Sequence, residues 1–364
     1  MSEEVSVLIV DDSALMRNLL GRIIEKIPGL RVADRAMNGR IALEKIPLCN
    51  PDIILLDLEM PEMNGIAFLQ ERKRRNIDIP VVVFSSIASE GAKVTMECLS
   101  LGACDFITKP GATQSTDLQE LGEQLKEILT AYGRKRNFPS PAVTRIPPKV
   151  HTAPVVEQTR KAAVLTDRID VIAIGISTGG PNALRKVFSE INGDLKIPIL
   201  VVQHMPPGFT REFAESLNKI CPLSVKEAQE GDLIQPGRVL IAPGNYHIEV
   251  EKKPLASVVH LSSEPQRNGH RPSADVLFES VAKVYKSNVL GVIMTGMGKD
   301  GAKGLGDIVN NGGISLGQDE SSSVVYGMPK AAYEMGYVMK QVNLDNMAEA
   351  IYKYALSPRA ITEN

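Results

Sequence analysis

Ser177 lies in Gly175-Ile-Ser-Thr-Gly179, a G-x-S-x-G spacing that turns a strand sharply into a helix and exposes a serine hydroxyl. Such a hydroxyl becomes a nucleophile when a base takes its proton and nearby N–H groups stabilise the resulting oxyanion. A strand, a glycine-rich turn and a helix also suit phosphate binding or a plain turn, so the pattern depends on its partners. His204 ends the apolar run Ile199–Gln203, and Asp300 sits in Thr295-Gly-Met-Gly-Lys-Asp-Gly301. With a histidine to accept the proton and a carboxylate to orient it, acyl transfer is accessible. On the sequence alone Asp300 reads more readily as the N-cap of the helix that follows it, a position that does not exclude the orienting role. The order Ser, His, Asp differs from those of the α/β-hydrolases, chymotrypsin and subtilisin, so a hydrolase of this kind has a separate fold. Two rival motifs fail on spacing. Gly175-x-Ser177 departs from the dinucleotide fingerprint, and Gly296-x-x-x-x-Gly301 is followed by Ala302 before Lys303, unlike a P-loop.

A second set of polar residues lies nearer the N-terminus. Asp11-Asp12, Asp57, Ser85 and Lys109 each follow or end a short apolar run. Three carboxylates from two strand ends repel one another unless a divalent cation neutralises them, and hard oxygen ligands suit Mg²⁺. Ser85 and Lys109 could then hold the oxygens of a phosphoryl group on Asp57.

The elements that position these residues follow from periodicity. Strands over Val5–Val10, Arg31–Ala36, Ile53–Leu56, Val81–Phe84 and Asp105–Ile107 alternate with helices, the last over Asp117–Thr130. That alternation predicts a doubly wound α/β domain over residues 1–125, with its site at the strand carboxyl ends. Residues 126–168 read as an extended basic linker holding Pro139, Pro141, Pro147, Pro148, Pro154 and an exposed His151. Residues 169–356 form a second α/β domain, doubly wound and mostly parallel, with strands at 171–174, 199–203, 238–242, 289–294 and 314–316. It also holds a hairpin over 246–250 and 257–261, in which His247 and His260 are ordinary hairpin residues. Ser273 is positioned to cap a helix over Ala274–Tyr285.

Composition bounds the function. A chain of 364 residues suits two domains, and 43% apolar with 23% charged residues is ordinary for a globular protein. A net charge of −2 gives no electrostatic reason to expect nucleic acid. No apolar run reaches the length of a membrane span, and the N-terminus lacks a secretory pattern, so no membrane insertion is expected. The four cysteines form no C-x-x-C pair, consistent with free thiols in a reducing cytoplasm.

The first domain resembles the receiver domain of two-component response regulators, which is flavodoxin-like. The resemblance rests on Asp11-Asp12, Asp57-Leu-Glu-Met-Pro61 with Asn64-Gly65, Ser85-Ser86 and Lys109-Pro110. It implies phosphorylation of Asp57 by a histidine kinase, with Mg²⁺ held by Asp11, Asp12, Asp57 and the Glu59 backbone carbonyl. It also implies phosphoryl contacts from Ser85 and Lys109 and a cis Lys109–Pro110 bond. Phe106 is either a switch aromatic or a core residue. The stretches GISTGGP, QHMP, APGNYH, HRPSADVLF and MTGMGKDGAKG resemble the catalytic domain of chemotaxis protein-glutamate methylesterases. That resemblance makes Ser177 the nucleophile, His204 the base and then acid, and Asp300 its orienter, with no cofactor for the ester chemistry. It sets oxyanion donors near Thr178 and Met297; His270 and Arg271 either line the substrate cleft or belong to a structural polar loop. The implied function is a phosphorylation-activated esterase that demethylates methylglutamate on chemoreceptors, releasing methanol, and deamidates receptor glutamine. Two other classes remain open on the sequence: a response regulator whose second domain only binds partners, and a transcription regulator, for which no helix-turn-helix signal is present.

Overall fold

The computed structural model describes residues 4–86, 89–110, 115–137 and 166–361; most of the proline-rich segment, with His151, lies outside them. The first domain contains β1 (Val5–Val10), α1 (Ala14–Ile24), β2 (Leu30–Ala36), α2 (Gly39–Cys49), β3 (Ile53–Asp57), α3 (Gly65–Arg74), β4 (Val81–Ser85), α4 (Ser89–Ser100), β5 (Asp105–Thr108) and α5 (Ser115–Asn137). Side chains of Ser13, Asn38 and Asn64 accept N–H groups at the starts of α1, α2 and α3, which fixes where each helix begins. The sheet order is β2-β1-β3-β4-β5, all parallel. The chain reverses its winding between β1 and β3, the point where such sheets open a crevice at their carboxyl ends. Asp11 and Asp12 follow β1, and Asp57 ends β3.

Helix α5 runs past residue 125 to Asn137. Its buried stripe of Leu121, Leu125, Ile128, Leu129 and Tyr132 keeps helical spacing, and Gly133 packs against Val5. The start of the basic cluster, Gly133-Arg134, is therefore helix. Among the described residues the cis peptide bond is Arg271–Pro272, so Lys109–Pro110 is trans, against the expectation from resemblance. Trans is the intrinsically favoured form of an X–Pro bond, and the Lys109 N–H extends the β4–β5 ladder by donating to Ser85 O at 2.7 Å.

The second domain contains β6 (Val171–Ile176), α6 (Gly180–Glu190), β7 (Ile199–Gln203), α7 (Phe209–Asn218), β8 (Ser224–Glu227) and β9 (Arg238–Ile241). The hairpin β10 (His247–Lys252) and β11 (Ser257–Ser262) comes next, then α8 (Ala274–Tyr285), β12 (Val289–Ile293), α9 (Ala302–Asn310), β13 (Ile314–Gln318), α10 (Met328–Glu334), β14 (Lys340–Val342) and α11 (Met347–Leu356). The seven-stranded sheet is ordered β14-β13-β12-β6-β7-β9-β8, and every pairing in it is parallel. Strands β6, β7 and β12 are buried on both faces, which explains their unbroken apolar sequences. Winding runs outward from β6 through β7 and then returns to β12 on its other side, so β6 is the switch strand and Ser177 follows it. The edge strands β8 and β14 are not apparent in the sequence. They are four and three residues long and largely polar, as exposed sheet edges tend to be.

The two domains pack directly. Phe106 of β5 stacks on Phe209 at the start of α7, with ring centroids 4.8 Å apart, so it joins the domains. The Asn182 side chain of α6 donates to the carbonyls of Ala103 and Cys104 at 3.0 and 2.9 Å.

Phe278 of α8 is fully buried and lies close to Gly175, Gly301 and Gly304, where any side chain on those glycines would meet it or its backbone neighbours. Phe278→Ala is predicted to destabilise the protein by about 3–5 kcal/mol. The measurement is a lower urea midpoint by circular dichroism at unchanged m.

Candidate active site

The carboxyl ends of β7, β6 and β12, adjacent in the sheet, carry the three residues. After β6 the backbone turns at Ser177, whose N–H donates to Thr295 O at 3.0 Å. Gly179 adopts φ +79°, which a side chain would strain, and starts α6 with Pro181 in its first turn. Gly296 lies so near Ser177 that an added Cβ would sit 2.7 Å from the serine Cβ. His204 directly follows β7, and its N–H donates to Ile176 O at 3.1 Å, extending the β6–β7 ladder. Gln203, one residue earlier, carries no signal in the sequence beyond ending an apolar run. Its buried amide donates to the carbonyls of both Ser177 and His204, at 3.0 and 3.1 Å, and ties the two turns together.

His204 and Asp300 meet. The Nε2 to Oδ2 distance is 2.8 Å and both side chains are buried. Asp300 does not cap its own helix: Gly301 holds the N-cap of α9, with no side-chain cap. Its carboxylate instead serves the start of α8, accepting the Ala274 N–H at 2.6 Å on Oδ2. On Oδ1 it accepts Ser273 Oγ–H at 2.7 Å and Asn268 Nδ2–H at 2.8 Å. Ser273 thus holds the N-cap position while its hydroxyl goes to Asp300. Burial alone would raise the pKa of Asp300, but hydrogen bonds from His204, Ser273 and Asn268 hold it well below the usual carboxylate range. An ionised carboxylate can only accept, so His204 Nε2 carries the hydrogen and Nδ1 offers a lone pair. Nδ1 is buried with no hydrogen bond. Ser177 and His204 line one cleft of about 490 Å³.

The neighbouring predicted residues are placed as follows. Thr178 and His270 line the cleft, as does Arg271, whereas Met297 is outside its lining and 53% exposed. His247 differs from a surface hairpin residue: it is buried, and its Nδ1 accepts the Ser273 N–H at 3.2 Å. His260 pairs with Glu230 at the surface.

One wall of the cleft belongs to the first domain, through Phe106 and Glu127 among others. Asp105 Oδ2 accepts the Gly179 N–H at 2.9 Å, at the positive end of α6. Burial raises the pKa of this carboxylate to about 6. Thr178 Oγ1–H donates to Glu127 of α5, whose pKa burial also raises.

In the first domain, oxygens of Asp11, Asp12 and Asp57 lie within 4.8 Å of one another. Lys109 Nζ is 2.7 Å from Asp57 and 3.5 Å from Asp11. Asp11 Oδ2 is buried without a hydrogen bond, and burial, then repulsion from Asp57, raises the Asp11 pKa. Glu59 and Ser85 line the same small cavity, with Asp57 and Lys109. The Ser85 hydroxyl is turned toward α4, accepting from Thr95 Oγ1 at 2.8 Å rather than meeting Asp57.

The family model for CheB methylesterase matches residues 172–351, and that for the response regulator receiver domain matches residues 7–120. Over 366 residues the chain is 58% identical to a protein-glutamate methylesterase/protein-glutamine glutaminase of Treponema denticola, covering 97% of this chain and 98% of the relative. The chain belongs to the CheB methylesterase family. A relative of the same description from Treponema pallidum is 48% identical over 394 residues, covering 97% of this chain and 98% of its own. The catalytic domain of Thermotoga maritima CheB methylesterase, a crystal structure, superposes with a TM-score of 0.50 at 37% identity. It covers 51% of this chain and 98% of that one. The CheB methylesterase and receiver domains both correspond to parallel α/β sheets of the fold described above.

Asp300 also makes a stability prediction. Its pKa is lower folded than unfolded, so its contribution is full above about pH 4 and is lost as pH falls through the folded value. The difference in unfolding free energy between wild type and Asp300→Asn is therefore predicted to shrink below pH 4. Asp300→Ala, which strands the α8 donors, is predicted to lose about 1–3 kcal/mol at pH 7. Urea unfolding across pH measures both.

Proposed function

We propose that the protein is a phosphorylation-activated serine esterase that demethylates methylglutamate side chains of chemoreceptors and deamidates receptor glutamine. The observation that carries this reading is the His204–Asp300 bond at 2.8 Å, which leaves the buried His204 Nδ1 without a hydrogen bond, while Ser177 and His204 line the same cleft. Ser177 Oγ attacks the ester carbonyl carbon as His204 Nδ1 takes its proton. The tetrahedral intermediate collapses, the C–O bond to the methoxy group breaks, and His204 returns the proton to release methanol. Water, deprotonated by His204, then attacks the acyl-enzyme, and glutamate and free Ser177 result. With glutamine the leaving group is ammonia. Asp300 orients the imidazole and stabilises its cationic form. Backbone N–H groups near Thr178 and Met297 are assigned to the oxyanion, and Arg271 to the cleft wall.

Asp57 is assigned as the phosphoacceptor for a histidine kinase, with Lys109 and Ser85 as phosphoryl contacts. Asp11, Asp12, Asp57 and the Glu59 carbonyl would hold Mg²⁺, which the clustered carboxylates and the unbonded Asp11 Oδ2 suit. The bound ion would offset phosphate charge during transfer. Control follows from the closed arrangement, in which Asp105 and Glu127 occupy the Gly179 N–H and the Thr178 hydroxyl beside the nucleophile. Lys109, held on Asp57, lies on the same segment as Asp105 and Phe106, so phosphorylation shifts that segment toward an open population. On this reading residues 1–125, extended by α5, form the regulatory unit and residues 169–356 the hydrolase, in the cytoplasm. No helix among the described residues is long and apolar enough to cross a membrane.

The test is methanol release from methylated receptor membranes, with and without a small phosphodonor and Mg²⁺. Release is predicted to rise with phosphodonor, to vanish in Ser177→Ala, and to rise several-fold without phosphodonor in Asp105→Ala. Release unaffected by Ser177→Ala would overturn the mechanism; release indifferent to phosphodonor would overturn the control.

A further inference from the structure

Both residues of the His204–Asp300 pair are touched by one short turn. Arg267 and His270 exchange backbone hydrogen bonds at 3.0 and 2.9 Å, and the residues between them, Asn268 and Gly269, have φ +54° and φ +81°. This is the two-residue turn in which both central residues are left-handed, a conformation that Asn-Gly adopts most readily. The turn is anchored on both sides. Arg267 pairs with Glu279 of α8, and Arg271 donates to Asn245 Oδ1 and to the carbonyls of Ser263 and Glu264.

Two residues of the turn, the central Asn268 and the closing His270, each meet one member of the pair. The Asn268 Nδ2 group spends its two hydrogens on two carboxylates, Asp300 Oδ1 and Asp275 Oδ2, both at 2.8 Å. Two carboxylates can only accept, which fixes the orientation of the amide. The His270 ring lies flat on the His204 ring, with centroids 3.8 Å apart and planes 13° apart. An imidazole bonded through Nε2 alone can still swing about that bond; a ring stacked on its face removes that freedom.

We propose that the Arg267–His270 turn is a positioning device for the hydrolytic histidine, with Asn268 fixing the Asp300 carboxylate and the His270 ring holding the plane of His204. The proposal rests on the assignment of Ser177, His204 and Asp300 as the reacting set. His270 acts through its flat face. Burial, and then repulsion from His204, push its pKa down to about 4, so it is neutral at pH 7 and adds no charge against the imidazolium formed in the reaction.

The test uses the full-length protein, activated by phosphodonor, in methanol release from methylated receptor membranes, with folding of each variant checked by its urea midpoint. His270→Ala and Asn268→Ala are predicted to lower kcat about tenfold to a hundredfold with KM nearly constant. His270→Phe, which restores a flat neutral ring, is predicted to recover most of that kcat. In parallel, imidazole ¹H–¹⁵N spectra of the Ser177→Ala protein are predicted to show a slowly exchanging His204 Nε2–H that broadens or disappears in His270→Ala. A raised KM with unchanged kcat would make His270 a substrate contact, and His270→Phe as impaired as His270→Ala would require its nitrogens; either result overturns the proposal. Turnover surviving in both Ser177→Ala and His204→Ala would remove the reacting set instead. The imidazole spectra still decide, without turnover, whether the turn fixes the ring.

Discussion

A buried carboxylate is tolerated only when its lone pairs are occupied, and Asp300 meets that condition with donors from separate parts of the chain. His204 comes from the end of β7, Ala274 and Ser273 from the start of α8, and Asn268 from the preceding turn. The helix and the site therefore share one anion. The packing of Phe278 against Gly175 and Gly301 sets where α8 begins relative to β6 and the Asp300 loop. The start of α8 sets the carboxylate, and the carboxylate sets which nitrogen of His204 is free. The hydrolytic geometry is thus a consequence of how a core helix is capped.

The same economy links the two domains. Each sheet opens at its topological switch point, β1/β3 in the receiver and β6 in the methylesterase domain. One short stretch of the receiver, β5 with Lys109, spans the distance between them. Its Lys109 end meets Asp57, while Asp105 accepts the Gly179 N–H and Phe106 stacks on Phe209. A carboxylate at the N-terminus of α6 takes a donor from the region where negative charge would develop on a bound ester. Burying Asp105 and Glu127 raises both pKa values, which makes the closed seam an electrostatically expensive one. A seam of that kind is readily shifted by a new charge at the other end of the same strand.

Much of this was legible in the sequence, for a definite reason. Residues at the carboxyl ends of buried parallel strands are marked by unbroken apolar runs, so Asp11, Asp57, Ser177 and His204 all stood out. Asp300 stood out less, because a glycine-rich turn before a helix predicts an N-cap. It does cap a helix, but one that begins 26 residues earlier in the chain, as the Ala274 contact shows, and periodicity carries no trace of such a pairing. Asp105 and Glu127 were invisible because their partners lie in the other domain. Nothing in the sequence marks Asn268, and the buried His247 reads as a hairpin residue, since both owe their roles to α8. The edge strands β8 and β14 were lost to their brevity and polarity, and the end of α5 to a basic cluster that resembles a linker while its Gly133 packs on Val5.

The most direct test is the rate at which a fluorophosphonate, which reacts preferentially with an activated serine, labels the full-length protein before and after treatment with a small phosphodonor and Mg²⁺. Mass spectrometry locates the adduct. The account predicts a single adduct on Ser177, labelling that is lost in His204→Ala, and a faster rate once Asp57 is phosphorylated. An adduct on another serine, or a Ser177 rate that neither His204→Ala nor the phosphodonor changes, would contradict it.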